Sequence, residues 1–330
     1  MTTVAHDATP ARAEVAPRAG IGLAVVSAAS FGLSGALASG LMDAGWSAAG
    51  AVTARVVVAA LVIALPAARA LHGRPGTLSA HGRLVAVYGI VAIAGCQLAY
   101  FNAVRRMDVG VALLIEYTAP VVVVAWLWLR HGHRPGQMTV VGGTIALVGL
   151  VLVLDLVGDV HPDPIGVVWA LGATAGAAVY FVLSASTEEA LPPLVLAAGG
   201  LVVGAVVLGL AGAIGVVSLS MSTRAVTYTG HTVPWWLPVL VLGVVTAGLA
   251  YVSGIAATRR LGARVASFVA LLEVLFALLF AWLLLDQLPR PVQFGGAALV
   301  IAGIVVVKLG AVPDQLSSPK PATTSRSAPS

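Results

Sequence analysis

Ten apolar stretches, each of about 20 residues, follow one another along this 330-residue chain, and charge is confined almost entirely to the breaks between them. The stretches are roughly 20–41, 46–69, 84–104, 109–129, 137–156, 165–185, 194–217, 235–257, 265–285 and 292–311. A segment of that length and polarity is read as a membrane-spanning helix, since lipid offers backbone groups no partners and a helix satisfies them internally. The breaks carry turn-forming or charged residues, such as Gly73-Arg74-Pro75-Gly76, Arg105-Arg106-Met107-Asp108, His133-Arg134-Pro135-Gly136, His161-Pro162-Asp163-Pro164 and Leu288-Pro289-Arg290-Pro291. Hydrophobic residues make up 59% of the chain, only 9% is charged, and the mean hydropathy is +1.00. So few charges exclude a soluble globular surface, a disordered chain and a coiled coil. The expected fold is an all-α integral membrane protein with ten transmembrane helices.

The net charge of +5 does not mark a nucleic-acid partner, because the basic residues sit in short runs between apolar segments. Cys96 is the single cysteine, so no intrachain disulfide and no cysteine metal cluster is expected, and it reads as a small hydrophobe. The histidines (His6, His72, His81, His131, His133, His161 and His231) fall in tails or loops without metal-ligand spacing. No cofactor or metal is expected. Residues 1–19 and 312–330 are rich in Ala, Pro, Ser and Thr and are expected to be disordered. Arg12 and Arg18 precede an apolar run ending in Ala36-Leu37-Ala38, a pattern shared with signal peptides; the run is too long for one and is read as the first span. Arginine outnumbers lysine 16 to 2 and Ala, Gly and Val abound, which points to a GC-rich bacterial genome.

Lys and Arg also set the orientation. With the N-terminus inside, thirteen basic residues are cytoplasmic: Arg12, Arg18, Arg69, Arg74, Arg83, Arg130, Arg134, Arg259, Arg260, Arg264, Lys308, Lys320 and Arg326. Four are outside: Arg105, Arg106, Arg224 and Arg290. Cytoplasmic loops of membrane proteins carry the excess, so both termini are expected in the cytoplasm of a multi-pass cell-membrane protein.

The chain resembles itself at an offset of 154 residues. Arg105-Arg106 falls on Arg259-Arg260, Ala112 on Ala266, Trp128 on Trp282, Pro135 on Pro289, Gly142 on Gly296 and Gly149 on Gly303. Two five-helix halves, 20–156 and 164–311, follow. Five is odd, so the halves lie in opposite orientations, the inverted-repeat plan of secondary transporters with a site between the halves.

Over residues 20–311 the chain resembles the EamA-like branch of the drug/metabolite transporter superfamily. The resemblance rests on the ten-span layout, on Arg55, and on Gly110-Val111-Ala112-Leu113-Leu114-Ile115-Glu116-Tyr117-Thr118-Ala119-Pro120 in the first half. In the second half it rests on Ala266-Ser267-Phe268-Val269-Ala270-Leu271-Leu272-Glu273, on Trp282 to Asp286, and on the glycines from Gly295 to Gly303. The segment Glu116 to Pro120, with Tyr117 inside it, is also similar to bacterial threonine/homoserine exporters. Val274 and Asp286 depart from the family's usual proline and glutamate, and Gly132 stands where the first half would carry the matching acid. The resemblance implies a ten-helix basket with a central cavity, moving a small polar or amphipathic metabolite, often outward.

An ionisable side chain inside lipid is costly and marks a candidate site. Three spans carry one: Arg55, Glu116 and Glu273. Arg55 and Glu116 lie at similar depth, so they are expected either to pair structurally or to bind substrate; Arg55 suits a carboxylate. Pro120 has no N–H, which frees the Glu116 carbonyl beside its carboxylate; a substrate ammonium, Arg55, Thr118 or water would serve as donor. A carboxyl group withdrawn from water favours its neutral form, so Glu116 or Glu273 is a candidate carrier of a coupling proton. Gln97 and Tyr100 share a face of the third span, and Tyr180 and Tyr251 stand on the sixth and eighth; each either lines a cavity or bonds a neighbouring helix. Gly172 to Gly176 and Gly200 to Gly204 are small-residue packing faces.

The expected activity is secondary transport, outward, of a small-molecule metabolite such as an amino acid, by alternating access. A channel or a non-transporting scaffold is the alternative, and an integral membrane enzyme fits less well because the loops are short and carry no nucleophile elbow or His-Glu-x-x-His pattern. No phosphate-binding Gly-rich loop with Lys and Ser/Thr is present to couple ATP. The oligomeric state is not legible.

Overall fold

The computed structural model describes residues 10–72, 76–107, 109–132, 134–156, 163–185 and 191–316. Outside them lie the breaks at 73–75 and 161–162, Asp108, the histidines His6, His133 and His161, and most of both tails. Helices α1 (Pro10–Asp43) and α2 (Ala48–Leu71) open the chain, and a single turn, Thr77–Ala80, leads to α3 (Gly82–Val104). Then come α4 (Val109–His131), α5 (Gln137–Val153), α6 (Pro164–Ser184) and α7 (Pro193–Ala213). Helix continues from Trp236 to Val269, but Gly262 at φ 76° turns its axis. We therefore separate α8 (236–261) from α9 (263–285), and α10 (Pro291–Leu316) closes the bundle.

Eight helical stretches are long and apolar enough to cross a membrane, with α5 and the second part of α9 somewhat shorter. The packing suits a lipid solvent. Leu61, Leu129 and Val168 point outward, while many helix contacts are made by Ala and Gly. Small residues let helices approach closely where no water drives them together.

The glycines that match between the halves pack across them. A Cβ on Gly149 would lie 2.7 Å from the Gly296 carbonyl, and one on Gly142 would lie 2.7 Å from the Gly303 carbonyl. In the repeat Gly142 corresponds to Gly296 and Gly149 to Gly303, so α5 and α10 run antiparallel with the pairs crossed. This is what opposite orientation of the halves requires. The predicted small-residue faces also find partners, Gly176 against Cys96 and Gly200 and Gly204 against Tyr88 and Ile93, all on α3.

Four features differ from the expected layout. α1 is helical from Pro10, so the N-terminal tail read as disordered is helical in its second part; alanine-rich sequence propagates a helix, and proline is tolerated at its first position. α10 likewise reaches Leu316. α7 stops at Ala213, where Gly215 at φ 77° lets the chain turn. The connection from α7 to α8 holds an antiparallel hairpin, β1 (Val226–Tyr228) with β2 (His231–Val233), whose turn contains Gly230 at φ 76°. That hairpin docks on helix ends. Tyr228 donates to the Leu37 carbonyl of α1 at 2.8 Å, and Thr229 to the Leu283 carbonyl of α9 at 2.9 Å. Burial lifts the Tyr228 phenol above its usual range, with the Asp43 carboxylate adding to it, so the phenol keeps its proton.

Candidate functional site

Both α4 and α9 break in mid-course. In α4 the helix ends at Glu116 and restarts at Ala119; Thr118 N–H bonds Ile115, and Val121 N–H bonds Thr118. In α9 it restarts at Leu272, with Leu271 N–H bonded to Phe268 and Glu273 N–H to Ala270. Pro120 explains the first break. The second occurs with Val274 at the matching place, so proline is not its cause. Among the described residues the carbonyl of Glu116 accepts no backbone hydrogen bond, and the Thr118 hydroxyl goes to Ile115 instead, at 2.6 Å.

The breaks place two carboxylates at opposite kinds of helix end. Glu116 is the last residue of its half-helix, where free carbonyls attract a donor or a cation. Glu273 lies in the first turn of the half-helix Leu272–Leu285, where N–H groups favour an anion.

α3 and α8 each carry a π-helical segment, Tyr88–Gly95 and Val244–Leu249. After the second, Ala250 N–H bonds Val245 and Ala247 and bypasses the Thr246 carbonyl between them. Arg55 takes that carbonyl, its Nη2 donating at 2.8 Å. The guanidinium also lies over the Phe31 ring, 5.4 Å from its centre.

These distortions surround a cavity of about 510 Å³. Every sequence-derived candidate lines it: Arg55, Gln97, Tyr100, Glu116, Tyr117, Pro120, Tyr180, Tyr251 and Glu273. Tyr117 and Glu273, like Gln97 and Tyr251, share this wall. Phe31, Tyr251 and Tyr180 pack ring to ring, with centroids 5.1 and 5.8 Å apart. Asn102, also on α3, is outside the wall and bonds its own helix. Ser184 at the end of α6 meets Tyr88 of α3.

Of the two alternatives for Arg55 and Glu116, pairing or binding substrate, no ion pair joins the two side chains. The Thr246 carbonyl and the Phe31 ring hold the guanidinium on the α1 and α8 side. Arg55 Nε is buried with no partner. Glu116 instead meets the Cys96 thiol, 3.5 Å from its Oε1. Cys96 is thus a neighbour of the site and not only a small hydrophobe. Its four-residue spacing from Tyr100 on one helix was the available signal. Phe31, Ser27 and Thr246 carried none.

The cavity has an open end and a closed end. Met42 and Val109 at its rim are 41% and 53% exposed, whereas Ala257, Thr258, Ala266 and Ser267 at its floor are at most 3% exposed. Arg259, at the C-terminal end of α8, donates to the Leu191 carbonyl at 2.6 Å and ties α8 to the start of α7.

Comparison with known proteins agrees with this architecture. No curated protein matches the sequence. A crystal structure of a protein 20% identical to this chain superposes with a TM-score of 0.70, over 89% of this chain and 98% of that one, which shows the shared fold. The EamA-like transporter family matches residues 18–155 and 164–309, the two halves in turn. A chain with ten helices in two such repeats is a multi-pass membrane protein, and it belongs to the EamA-like transporter family.

Proposed function

We propose that the protein is a secondary transporter of the cell membrane that exports a small amphipathic metabolite, an amino acid fitting best, by alternating access. The observation that carries this reading is a single cavity offering both signs of charge on an otherwise apolar wall. Arg55 provides a buried guanidinium with a free Nε, and Glu116 and Glu273 provide carboxylates. A zwitterion with an apolar side chain meets a complement for each part. The similarity of the Glu116 to Pro120 segment to threonine/homoserine exporters supports the same class.

With thirteen basic residues on the side of the termini and four on the other, both termini are cytoplasmic and the open rim faces outward. The buried floor closes the inner side. The inverted halves supply the second state: exchanging their conformations closes the rim and opens the floor. A proton is the coupling ion in this reading, exchanged at Glu116 or Glu273, with Cys96, Tyr100 and Tyr117 as the titratable neighbours and Arg55 as the fixed charge.

Counterflow in proteoliposomes tests it. Purified protein loaded inside with an unlabelled amino acid should accelerate uptake of the labelled one, and the rate should saturate. Flux that rises linearly with concentration would indicate a channel. A Glu116→Gln variant whose transport keeps the parent's pH dependence would remove Glu116 from proton coupling.

A further inference from the structure

The two π segments are counterparts, and their comparison points to a binding group on α3. They are closed by Cys96 and Ala250, the residues that follow them, which are 154 residues apart, the offset at which the halves match. In each, the closing N–H bonds the carbonyls three and five residues back and bypasses the one four back. The bypassed carbonyls are those of Ala92 in α3 and Thr246 in α8. In α8 the protein's own guanidinium fills the place, Arg55 Nη2 on Thr246. In α3 no described side chain donates to the Ala92 carbonyl, and Ala92 lines the cavity.

Further acceptors adjoin it. Cys96, one turn beyond Ala92, sets its thiol 3.5 Å from Glu116 Oε1 and 3.4 Å from the Ala173 carbonyl, so the carboxylate borders the turn that follows Ala92. The Glu116 carbonyl, which accepts no backbone hydrogen bond among the described residues, belongs to the same residue as that carboxylate. This wall gathers two carbonyls and a carboxylate, and the thiol is a weak donor. Acceptors held away from water without donors are costly, and a ligand bringing several N–H groups removes that cost. Arg55, on the α2 and α8 side, has the opposite character, a guanidinium with Nε free.

We propose that the Ala92 carbonyl and Glu116 form the subsite for a primary ammonium group of the transported solute, with Arg55 receiving its carboxylate. The proposal rests on the transporter reading above and fixes the polarity with which a zwitterion sits in the cavity. The guanidinium on Thr246 is the internal precedent for an N–H cation on such a carbonyl.

The test uses the full-length protein and two probes: leucinamide, which keeps the ammonium and lacks the carboxylate, and N-acetyl-leucine, which is the reverse. Affinities come from ligand-dependent thermal stabilisation. Two variants are compared with the parent: Glu116→Gln, and an ester in place of the amide between Ala92 and Ile93. The ester weakens the Ala92 carbonyl as an acceptor without changing a side chain, and keeps the question open to measurement if E116Q fails to fold. The ratio of affinities, leucinamide to N-acetyl-leucine, should fall by about tenfold or more in E116Q. It should fall by roughly threefold in the ester. An unchanged ratio in the ester, or a parent protein that leucinamide does not stabilise, overturns the proposal. The transporter reading fails separately: a ratio that responds as expected, in a protein showing no counterflow of leucine, leaves the subsite standing and removes the transport.

Discussion

Arg55 is 7% exposed and is held by one carbonyl and one ring. Replacing it with leucine removes the donor on Thr246 and leaves that carbonyl orphaned in α8. Arg55→Leu should therefore lose about 1–3 kcal/mol of stability in thermal unfolding. It should also abolish saturable counterflow, while Arg55→Lys, which keeps the charge without the planar fork, should transport with reduced affinity. Arg55, Glu116 and Glu273 were legible as candidates because an ionisable group stands out in an apolar run. Their partners were not. A pairing of Arg55 with Glu116 looked reasonable from depth alone, but depth does not say which way a side chain turns. A bypassed carbonyl on α8 and an aromatic face on α1 decided that, and neither has a mark in the sequence. The same holds for Cys96, whose contact with Glu116 depends on α3 and α4 meeting at that level.

Helices α5 and α10 pack backbone to backbone at the crossed glycine pairs. A methyl group on Gly149 has no room against Gly296, and Gly149→Ala should cost about 1–3 kcal/mol as an overpacked contact. The neighbouring Gly295 faces open space. Gly295→Ala should be neutral or stabilising by up to about 1 kcal/mol, since alanine is the better helix former. Thermal unfolding of the two variants side by side measures the difference. The glycine series was legible as a repeat, and its crossed pairing follows only once the halves are inverted. The break in α9 was not legible. Proline flags the break in α4, and Val274 carries no such mark in α9. The backbone has already left α-helical bonding there, with Val274 N–H joined to Leu271. Val274→Pro should therefore cost about 1 kcal/mol, one hydrogen bond, and not the roughly 3 kcal/mol of a proline inside an intact helix. Chemical denaturation of V274P distinguishes the two values.

At the scale of the molecule the cavity passes between the halves and is accessible from one end. The hairpin after α7 sits at that end and ties α1 to α9 through Tyr228 and Thr229. The Trp46 indole donates to the Ser222 carbonyl at 2.7 Å, and the Ser47 hydroxyl donates to the Ser218 carbonyl at 2.6 Å, so the same connection also grips the turn between α1 and α2. In a Cys96→Ser background, Ala38→Cys should react with a membrane-impermeant thiol reagent applied from the hairpin side. Ser267→Cys, at the buried floor, should be protected. Equal labelling of both would show that the floor is open in the protein's resting state. A substrate that drives exchange between the two states should raise labelling at Ser267→Cys from the opposite side.

Hydrophobic patterning alone determined that this chain lives in lipid, crosses it ten times and is built from two similar halves. Those properties follow from segment length, charge placement and repetition, which are one-dimensional quantities. The odd helix count then made the halves antiparallel. Which groups face one another was decided by the tertiary structure. Pro120 marks the break in α4, but the break in α9 and the two π segments fall where no residue type in the sequence marks them. Each such irregularity frees a backbone carbonyl or turns a side chain toward the shared cavity. Backbone carbonyls are common to every residue, so a sequence does not show which of them will lack a partner. The candidate site depends on those carbonyls as much as on its three charged side chains.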